Sequence, residues 1–467
     1  MSEIFGLRRG ESLLIIGLGR SGLACVEVLS QFGVTLYATD EESEERLRPA
    51  IATAQRLGAQ FVPPADLRSI LGAVDCAVLS PGVGPTSPVV RRLHERNVPV
   101  VGEIELAYRL CSAPIIAVTG TKGKSTTTAL IGHLLRACGR DVRVGGNIGN
   151  PLIKEVGGVG PDGWVVAEVS SFQLETIRSF KPRVAVLLNL SPDHLDRYHS
   201  MEEYAQAKYR IAANQGMTDW FVGDLDDPYV AALDWRRGET RVLARQLWLS
   251  LDHPDQAAMY LRDDTLIYAP PTGDPRPIPI VARDGIRLPG EHNLRNAMAA
   301  LLAALAVGCE AATLREAIGS FEPMSHRLQT LAEIDGVTYV DDSKSTTPAS
   351  VIAALRTFDR PVILIAGGRS KGTSFSPVLD EISGRGVRGV IAIGEAAPEI
   401  LGGIQGVTAL PAASLEEAVD RARELAQRGD VVLLSPGCAS FDMFASAEAR
   451  GDRFADAVAA LRAPAGA

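Results

Sequence analysis

Four segments of the chain repeat one local pattern: a short β-branched run, a glycine-rich turn, then a helical stretch. They read SLLIIGLGRSGLACVEVLSQFG, APIIAVTGTKGKSTTTALIGHLLRACG, RPVILIAGGRSKGTSF and GDVVLLSPGCASFDMF. Strand signals that alternate with helical ones are satisfied by parallel sheets whose crossover connections are helices. Residues 75–83 (DCAVLSPGV) and 164–171 (WVVAEVSS) add strands ending in small or polar residues. Ligands gather at those carboxyl ends in open parallel sheets.

At 467 residues the chain has room for about three domains. The expected fold is three α/β domains in series. A Rossmann-like N-terminal domain would cover 1–111, a central sheet of the phosphate-loop ATPase type 112–322, and a second Rossmann-like domain 323–467. The first edge falls at CSAP (111–114), just before a fresh strand, and the second near SFEPMSHR (320–327), after a helix over 293–318. The less regular stretch 236–280, with its Pro and Asp residues, predicts short strands or an insertion beside the central sheet.

Composition removes several function classes. The net charge is −9, with no Lys/Arg-rich run, which argues against non-specific nucleic-acid or anionic-membrane binding. The longest apolar run, 297–309, is shorter than a membrane span, and the apolar stretch near the N-terminus is too short for a signal-peptide core. Cysteines 25, 76, 111, 138, 309 and 438 lie far apart without CxxC or Cys/His grouping, which predicts a reducing compartment and neither disulfides nor zinc. A cytoplasmic protein with small-molecule partners is expected.

The strongest motif runs from Thr119 to Thr126, TGTKGKST, after the strand signal IIAV and before the helix signal TTTALIGHLL. A glycine loop at a helix N-terminus presents N–H groups and a positive dipole end to phosphate oxygens. Lys124 can reach the outer phosphates and the Ser125 hydroxyl can hold Mg²⁺. Val118 occupies the place of the first glycine in the longer pattern, so the loop fits the shorter form GxxGKS. The second motif is Gly17-Leu-Gly19-Arg-Ser21-Gly22, with Asp40 at the end of the next strand. This is a pyrophosphate-reading turn, and a nicotinamide cofactor or a UDP-sugar would each satisfy it. A purely structural tight turn is the alternative.

Asp193, His194 and Asp196 follow the strand signal VAVLLNLSP. Alone they read as a solvated turn capping a helix, whereas a phosphate loop nearby favours divalent-metal chemistry. Glu168, closing the strand WVVAE, is a further metal-ligand candidate. Lys208 lies on an amphipathic helical stretch and by itself reads as a surface lysine. Three further polar pieces, EHNLRN (291–296), SHR (325–327) and DDSKST (341–346), stand beside apolar segments. There Arg327 could clamp phosphate and Lys344 neutralise a carboxylate.

Taken in order, TGTKGKST, GGNIG (145–149), AEVSSFQLE (167–175), SPDHLDRY (191–198), the AK of QAKYR, EHNLRNAMAA, SHR and DDSKSTTPAS resemble the Mur ligase family over nearly the whole chain. DDSKSTT, GGRSKGTSF and LLSPGCASFDMF are similar to its D-glutamate-adding branch. The resemblance implies ATP-driven addition of D-glutamate to UDP-N-acetylmuramoyl-L-alanine in peptidoglycan precursor synthesis, through an acyl phosphate and a tetrahedral intermediate, by a monomer. It implies catalytic roles for Lys124, His194 and Lys208. ATP would be held by Gly120, Thr121, Lys122, Gly123, Lys124, Ser125, Thr126 and Thr127, with Asn293, Asn296, Arg327 and Asp342 toward adenine and ribose. One Mg²⁺ would take Ser125 and Glu168, and a second His194 and Lys208, the lysine as a carbamate.

The UDP-substrate would meet Gly17, Gly19, Ser21, Gly22, Asp40, Ser80, Gly82 and Asn147. D-Glutamate would meet Thr346, Lys371, Ser440 and Phe441, with Lys344 close by. Lys122 stands where the family commonly has asparagine, Glu41 and Glu42 where a threonine–arginine pair contacts uracil, and Ala447 where an aromatic residue borders the amino-acid pocket. The rival expectations are another amide ligase of this superfamily or a non-catalytic UDP-sugar-binding regulator, with a dehydrogenase third because it leaves the phosphate loop unexplained. DDSKSTT in place of histidine-bearing DYAH or DGAHNP patterns, and the lack of a DNPR-like motif, speak against the other ligases.

Overall fold

The computed structural model describes residues 10–84, 86–193, 197–233, 242–271, 276–288, 290–322, 325–370, 374–384 and 386–461. These form two compact units, one of residues 1–286 with 292–321 and one of residues 287–291 with 322–467. The first unit carries two sheets and the second carries one.

The N-terminal sheet has five parallel strands in the order Gln60–Phe61, Thr35–Thr39, Ser12–Ile16, Cys76–Leu79, Val100–Gly102. Leu13 to Ile16 are buried on both faces, which is why this strand reads as a continuous apolar run rather than an alternation. Connections leave its two sides in opposite directions, so a crevice opens at its carboxyl end, where the glycine turn sits.

The second sheet of this unit has nine strands in the order Val142–Gly146, Trp164–Glu168, Ile115–Thr119, Val184–Leu187, Trp220–Asp224, Arg245–Leu249, Met259–Arg262, Thr265–Tyr268, Ile278–Ala282. Pairing is parallel through Met259–Arg262 and antiparallel for the last two strands. The described part of 236–280 is therefore no appendage, because its strands extend the sheet. The single helix expected over 293–318 is two, Glu291–Ala306 and Ala311–Ile318. The break lies at Val307–Gly308–Cys309, where a left-handed glycine (φ +85°) lets the Cys309 N–H return to Ala304 O at 3.1 Å.

Helix Glu103–Leu110 joins the two sheets of this unit through two carboxylates. Glu105 accepts the N–H groups of Arg178 (2.9 Å), Ser179 (3.0 Å) and Phe180 (2.8 Å), as well as Arg109 Nε (3.0 Å). Burial would raise its pKa, but the Ser179 hydroxyl and these N–H groups outweigh burial and hold it below the ordinary value. Glu103 is also buried, with Oε1 accepting the Ile153 N–H at 2.8 Å and Oε2 lacking a partner among the described residues. Burial pushes it up to about 7, against the opposing pull of the Ile153 and Leu152 N–H groups and Arg20.

The sheet of the second unit runs Gln329–Ile334, Val337–Asp341, Val431–Gly437, Val362–Gly367, Val387–Ile393, Thr408–Ala412, parallel except for the first strand. Successive residues face opposite sides, so Val340, Leu364, Val390 and Leu433 enter one core and Tyr339, Ile363, Ile391 and Val432 the other. Among the described residues no helix is long and apolar enough to cross a membrane, and all six cysteines are free thiols.

Candidate functional site

Strand Ile115–Thr119 delivers the phosphate-type loop to the N-terminus of helix Lys124–Ala137. The first N–H groups of any helix lack intrahelical partners, so this end offers donors to an anion. Asn189, just past the neighbouring strand Val184–Leu187, fixes the loop. Its side chain accepts the Lys122 N–H (2.9 Å) and donates to Lys122 O (3.1 Å), while its carbonyl accepts the Thr121 N–H (2.9 Å). Gly123 turns the chain into the helix with φ +80°, and a Cβ there would lie 2.1 Å from Asn296 Oδ1. Asn296 Nδ2 donates to Asn293 Oδ1 at 3.1 Å, which ties Asn293 to the residue packed on the phosphate-type loop. Arg295 between them ties their helix to Asp224 (3.0 Å) and Asp226 (2.6 Å). Burial raises Asp224 to about 6 even beside Arg295.

Lys124 Nζ donates to the carbonyls of Gly120 (2.9 Å) and Thr121 (2.7 Å). Lys208 Nζ also donates to Gly120 O, at 2.9 Å, so two amino groups share one carbonyl oxygen. Thr119 Oγ1 is 3.5 Å from Lys208 Nζ and the Tyr204 ring centre 4.9 Å away. The surface-lysine reading of Lys208 is wrong, because the residue is only 2 % exposed. Helix Met201–Tyr209 turns the face bearing Tyr204, Ala205 and Lys208 inward. Burial and then the Lys124 charge drive the Lys208 pKa well below the ordinary lysine value, against the pull of Asp193 and Glu168.

Glu168 ends the strand paired with the loop's own strand. Its Oε1 accepts Asn147 Nδ2 at 2.7 Å, and its buried Oε2 has no hydrogen-bond partner among the described residues. An orphaned carboxylate oxygen beside a phosphate-type loop suits a cation. No three His, Cys, Asp or Glu side chains cluster as ligands among the described residues. A cation here would therefore draw also on hydroxyl, phosphate and water oxygens, the donor set Mg²⁺ prefers. Ser125 and Thr126 lie in the first helical turn, whereas Thr127 is fully buried and gives its N–H to Gly123 O at 2.9 Å. His194 and Asp196 lie outside the described residues.

A cavity of about 360 Å³ opens between the two sheets of the first unit. Gly17, Gly19, Ser21, Asp40, Ser80 and Gly82 line one side, and Gly146, Asn147 and Gln173 the other. Gly22 sits behind the lining, where a Cβ would meet Gly17 O at 1.8 Å, and Ser80 Oγ donates to that same carbonyl at 2.8 Å. The Asp40 carboxylate accepts the N–H groups of Leu18 (2.6 Å) and Glu42 (3.0 Å), so it shapes the glycine turn as well as facing the cavity. Glu41 accepts the Val89 N–H at 3.2 Å.

In the second unit His326 Nδ1 pairs with Asp341 Oδ2 at 2.7 Å, which fixes the segment carrying Arg327. Asp342 is buried, accepting the Ser435 hydroxyl (2.9 Å) and the Leu328 N–H (3.3 Å). Burial raises it to about 6, although the Ser345 and Ser435 hydroxyls and Arg327 pull the other way. Lys344 bonds to Glu448, which that contact draws down to about 2. Ser440 is buried and Phe441 is 65 % exposed. Thr346 follows in the same loop as Lys344, and Lys371 lies outside the described residues.

A dinucleotide-type glycine turn, a phosphate-type loop and a third sheet with polar strand ends define a nucleotide-dependent enzyme of three α/β parts. Family models match in the same order: the Mur ligase MurD-like N-terminal domain over residues 11–102, the Mur ligase middle domain over 118–304, and the Mur ligase glutamate ligase domain over 326–438. The chain belongs to the Mur ligase family. Two relatives are each named UDP-N-acetylmuramoylalanine–D-glutamate ligase. That of Pelotomaculum thermopropionicum is 41% identical over 97% of this chain and 98% of its own. That of Trichlorobacter lovleyi is 42% identical over 97% of this chain and 99% of its own. The fold also matches the MurF ligase of Thermotoga maritima in complex with ADP, with a TM-score of 0.59 at 18% identity, covering 99% of this chain and 100% of that one. The UDP-N-acetylmuramate-alanine ligase MurC of Thermotoga maritima gives 0.58 at 19% identity, covering 97% and 100%.

Several site-building residues escaped the sequence reading. Asn189 and Tyr204 carry no motif of their own, and each acts across a long stretch of chain: Asn189 meets Lys122 from 67 residues away and Tyr204 meets Thr121 from 83. Arg20 was missed as well, although its place inside the glycine turn was a signal that could have found it, and it lines the cavity with a cation.

Proposed function

We propose that the chain is an ATP-dependent amide ligase that adds D-glutamate to UDP-N-acetylmuramoyl-L-alanine in cytoplasmic peptidoglycan precursor synthesis. The convergence of Lys124, Lys208, Glu168 and the two asparagines around one glycine loop carries the reading. The identity of the two substrates rests on the names of the relatives. A carboxylate is a poor electrophile, so its oxygen first takes the terminal phosphoryl group of ATP. The amine of D-glutamate then attacks the acyl phosphate, and the tetrahedral intermediate collapses with loss of phosphate. Negative charge grows on oxygen throughout, so cations and N–H donors positioned beforehand lower the barriers.

Lys124 exchanges its loop carbonyls for the γ-phosphate, and the first-turn amides with Thr121, Lys122, Gly123, Ser125 and Thr126 cradle the phosphates, whereas the expected contact from Thr127 is dropped because that residue is buried with its N–H on Gly123 O. Asn293, Asn296, Arg327 and Asp342 serve the adenosine. Ser125 and Glu168 would hold one Mg²⁺, and His194 with Lys208 a second. Bound there, Mg²⁺ would neutralise phosphate charge and polarise the transferring group. Burial and the Lys124 charge lower the Lys208 pKa, which favours the neutral amine, the form that adds to CO₂. A new N–C bond and loss of one proton then give an anionic carbamate, which suits a metal. The UDP end enters the cavity lined by Gly17, Gly19, Ser21, Asp40, Ser80, Gly82 and Asn147, with Gly22 supporting its wall. D-Glutamate is taken by Thr346, Lys371, Ser440 and Phe441, with Lys344 beside them. The proposal includes a monomer divided near residues 112 and 322.

The test is phosphate release from ATP with UDP-N-acetylmuramoyl-L-alanine and a panel of amino acids. D-Glutamate should support turnover roughly 100-fold above L-glutamate or L-lysine. Equal turnover with all three would remove the substrate assignment.

A further inference from the structure

Helix Ala447–Ala460 opens at Ser446, whose hydroxyl accepts the Ala449 N–H at 3.2 Å. One turn in stands Arg450, fully buried and the bulkiest side chain so buried among the described residues. Its charge faces the unfavourable end of the helix dipole, and a cation sealed from water is costly unless its donors are met. Asp341 and Asp442 act on it only through space. Its close partners are uncharged oxygens: Nε donates to Ser343 Oγ (3.0 Å), Nη2 to Ser343 O (2.8 Å) and Nη1 to Cys438 O (3.2 Å).

Those partners lie on loops at the carboxyl ends of neighbouring strands. Ser343 follows Val337–Asp341 and Cys438 follows Val431–Gly437. A third loop leaves the adjacent strand Val362–Gly367, and its Gly368 packs so tightly that a Cβ would lie 3.3 Å from Arg450 Nη1. Paired backbone bonds between Arg369 and Ala439, at 2.9 and 3.0 Å, join the third loop to the second. Two of these loops carry residues to which the amino-acid substrate is assigned, Lys344 and Thr346 on the first and Ser440 on the second, and the third is tied to the second at Arg369.

We propose that Arg450 is a positioning residue for the incoming amino acid. Its planar fork holds the three loops in one arrangement, and its buried charge stands among loops assigned to a dicarboxylate. Only arginine can reach a hydroxyl and two carbonyls from one rigid group, whereas lysine keeps the charge and loses the fork. The proposal rests on the D-glutamate ligase reading above.

The experiment measures KM separately for D-glutamate and the UDP-substrate, with thermal melts, on the full chain and its Arg450→Met and Arg450→Lys variants. Arg450→Met should raise the D-glutamate KM about tenfold or more and the UDP-substrate KM less than about twofold. Arg450→Lys should fall between, and methylguanidinium should restore part of the D-glutamate affinity to an Arg450→Gly variant. A D-glutamate KM unchanged in Arg450→Met overturns the proposal, as does a parallel loss for both substrates with a lowered melting temperature and no rescue. If Arg450→Met does not fold, Arg450→Lys decides: a selective rise in the D-glutamate KM supports the proposal and wild-type constants overturn it. Failure of the wild-type chain to use D-glutamate would instead sink the ligase reading, and this inference with it.

Discussion

A lysine amine sealed from water beside a second one cannot keep its proton at the ordinary value. Lys208 is in that position, sharing Gly120 O with Lys124. Its lowered pKa means that, below the ordinary lysine value and above the folded one, the unfolded chain holds a proton that the folded chain lacks. Stability therefore rises with pH through that window, and at neutral pH the residue is a liability to the fold. Replacing it by an apolar side chain of similar length should stabilise the protein and disable it. Lys208→Met is expected to raise the melting temperature by an amount equivalent to about 1 kcal/mol or more and to cut ATP-dependent ligation at least ~100-fold. A melting temperature that fell, or activity that stayed, would contradict this account. The sequence named Lys208 only through resemblance, because its burial depends on a loop 88 residues earlier in the chain.

At the scale of elements, the loop–helix unit Gly120–Ala137 is held from outside itself. Asn189 fixes its start and Asn296 packs on its turn. The pattern strand–glycine turn–helix was legible because it depends on neighbours in sequence. The asparagines that set its shape were legible in one case and not the other: Asn296 sits in a recognisable motif, whereas Asn189 stands alone after an apolar strand. Gly123→Ala tests the tightness of this arrangement. A side chain at φ +80° costs about 1–2 kcal/mol, and the methyl would displace Asn296 besides. Calorimetric titration with an ATP analogue should show affinity reduced about tenfold or more, with a lower melting temperature. Unchanged affinity would mean that the loop binds nucleotide in a different shape. Arg295, which couples this helix to Asp224 and Asp226, stands inside the same motif, but its partners lie about 70 residues earlier and no local pattern names them.

Across the molecule, the three-sheet order was readable from alternating strand and helix signals, while the seam between the first two sheets was not. That seam rests on Glu103 and Glu105, which look like ordinary surface glutamates at a helix start. Their roles come from residues about 50 and 75 positions away, beyond any local pattern. Glu103 carries a pKa raised to about 7, so its stabilising share is complete at pH below the ordinary glutamate value. It is lost as pH rises through 7. Glu103→Gln mimics the protonated acid. It should therefore raise the melting temperature at pH 8, by the equivalent of at most about 3 kcal/mol, and change it little at pH 5. A pH-independent effect would show that Glu103 is uncharged for another reason or not at all. The net charge of −9 argued against polyanions in the sequence reading, yet the cavity at the glycine turn carries a local cation, Arg20, on its wall. The cavity beside that seam draws one wall from each sheet. Its width is accordingly a property of the spacing between sheets rather than of either wall. Substitutions far from any ligand can thus tune what fits, and a rigid molecule touching both walls would act as a spacer that fixes the two sheets at one separation.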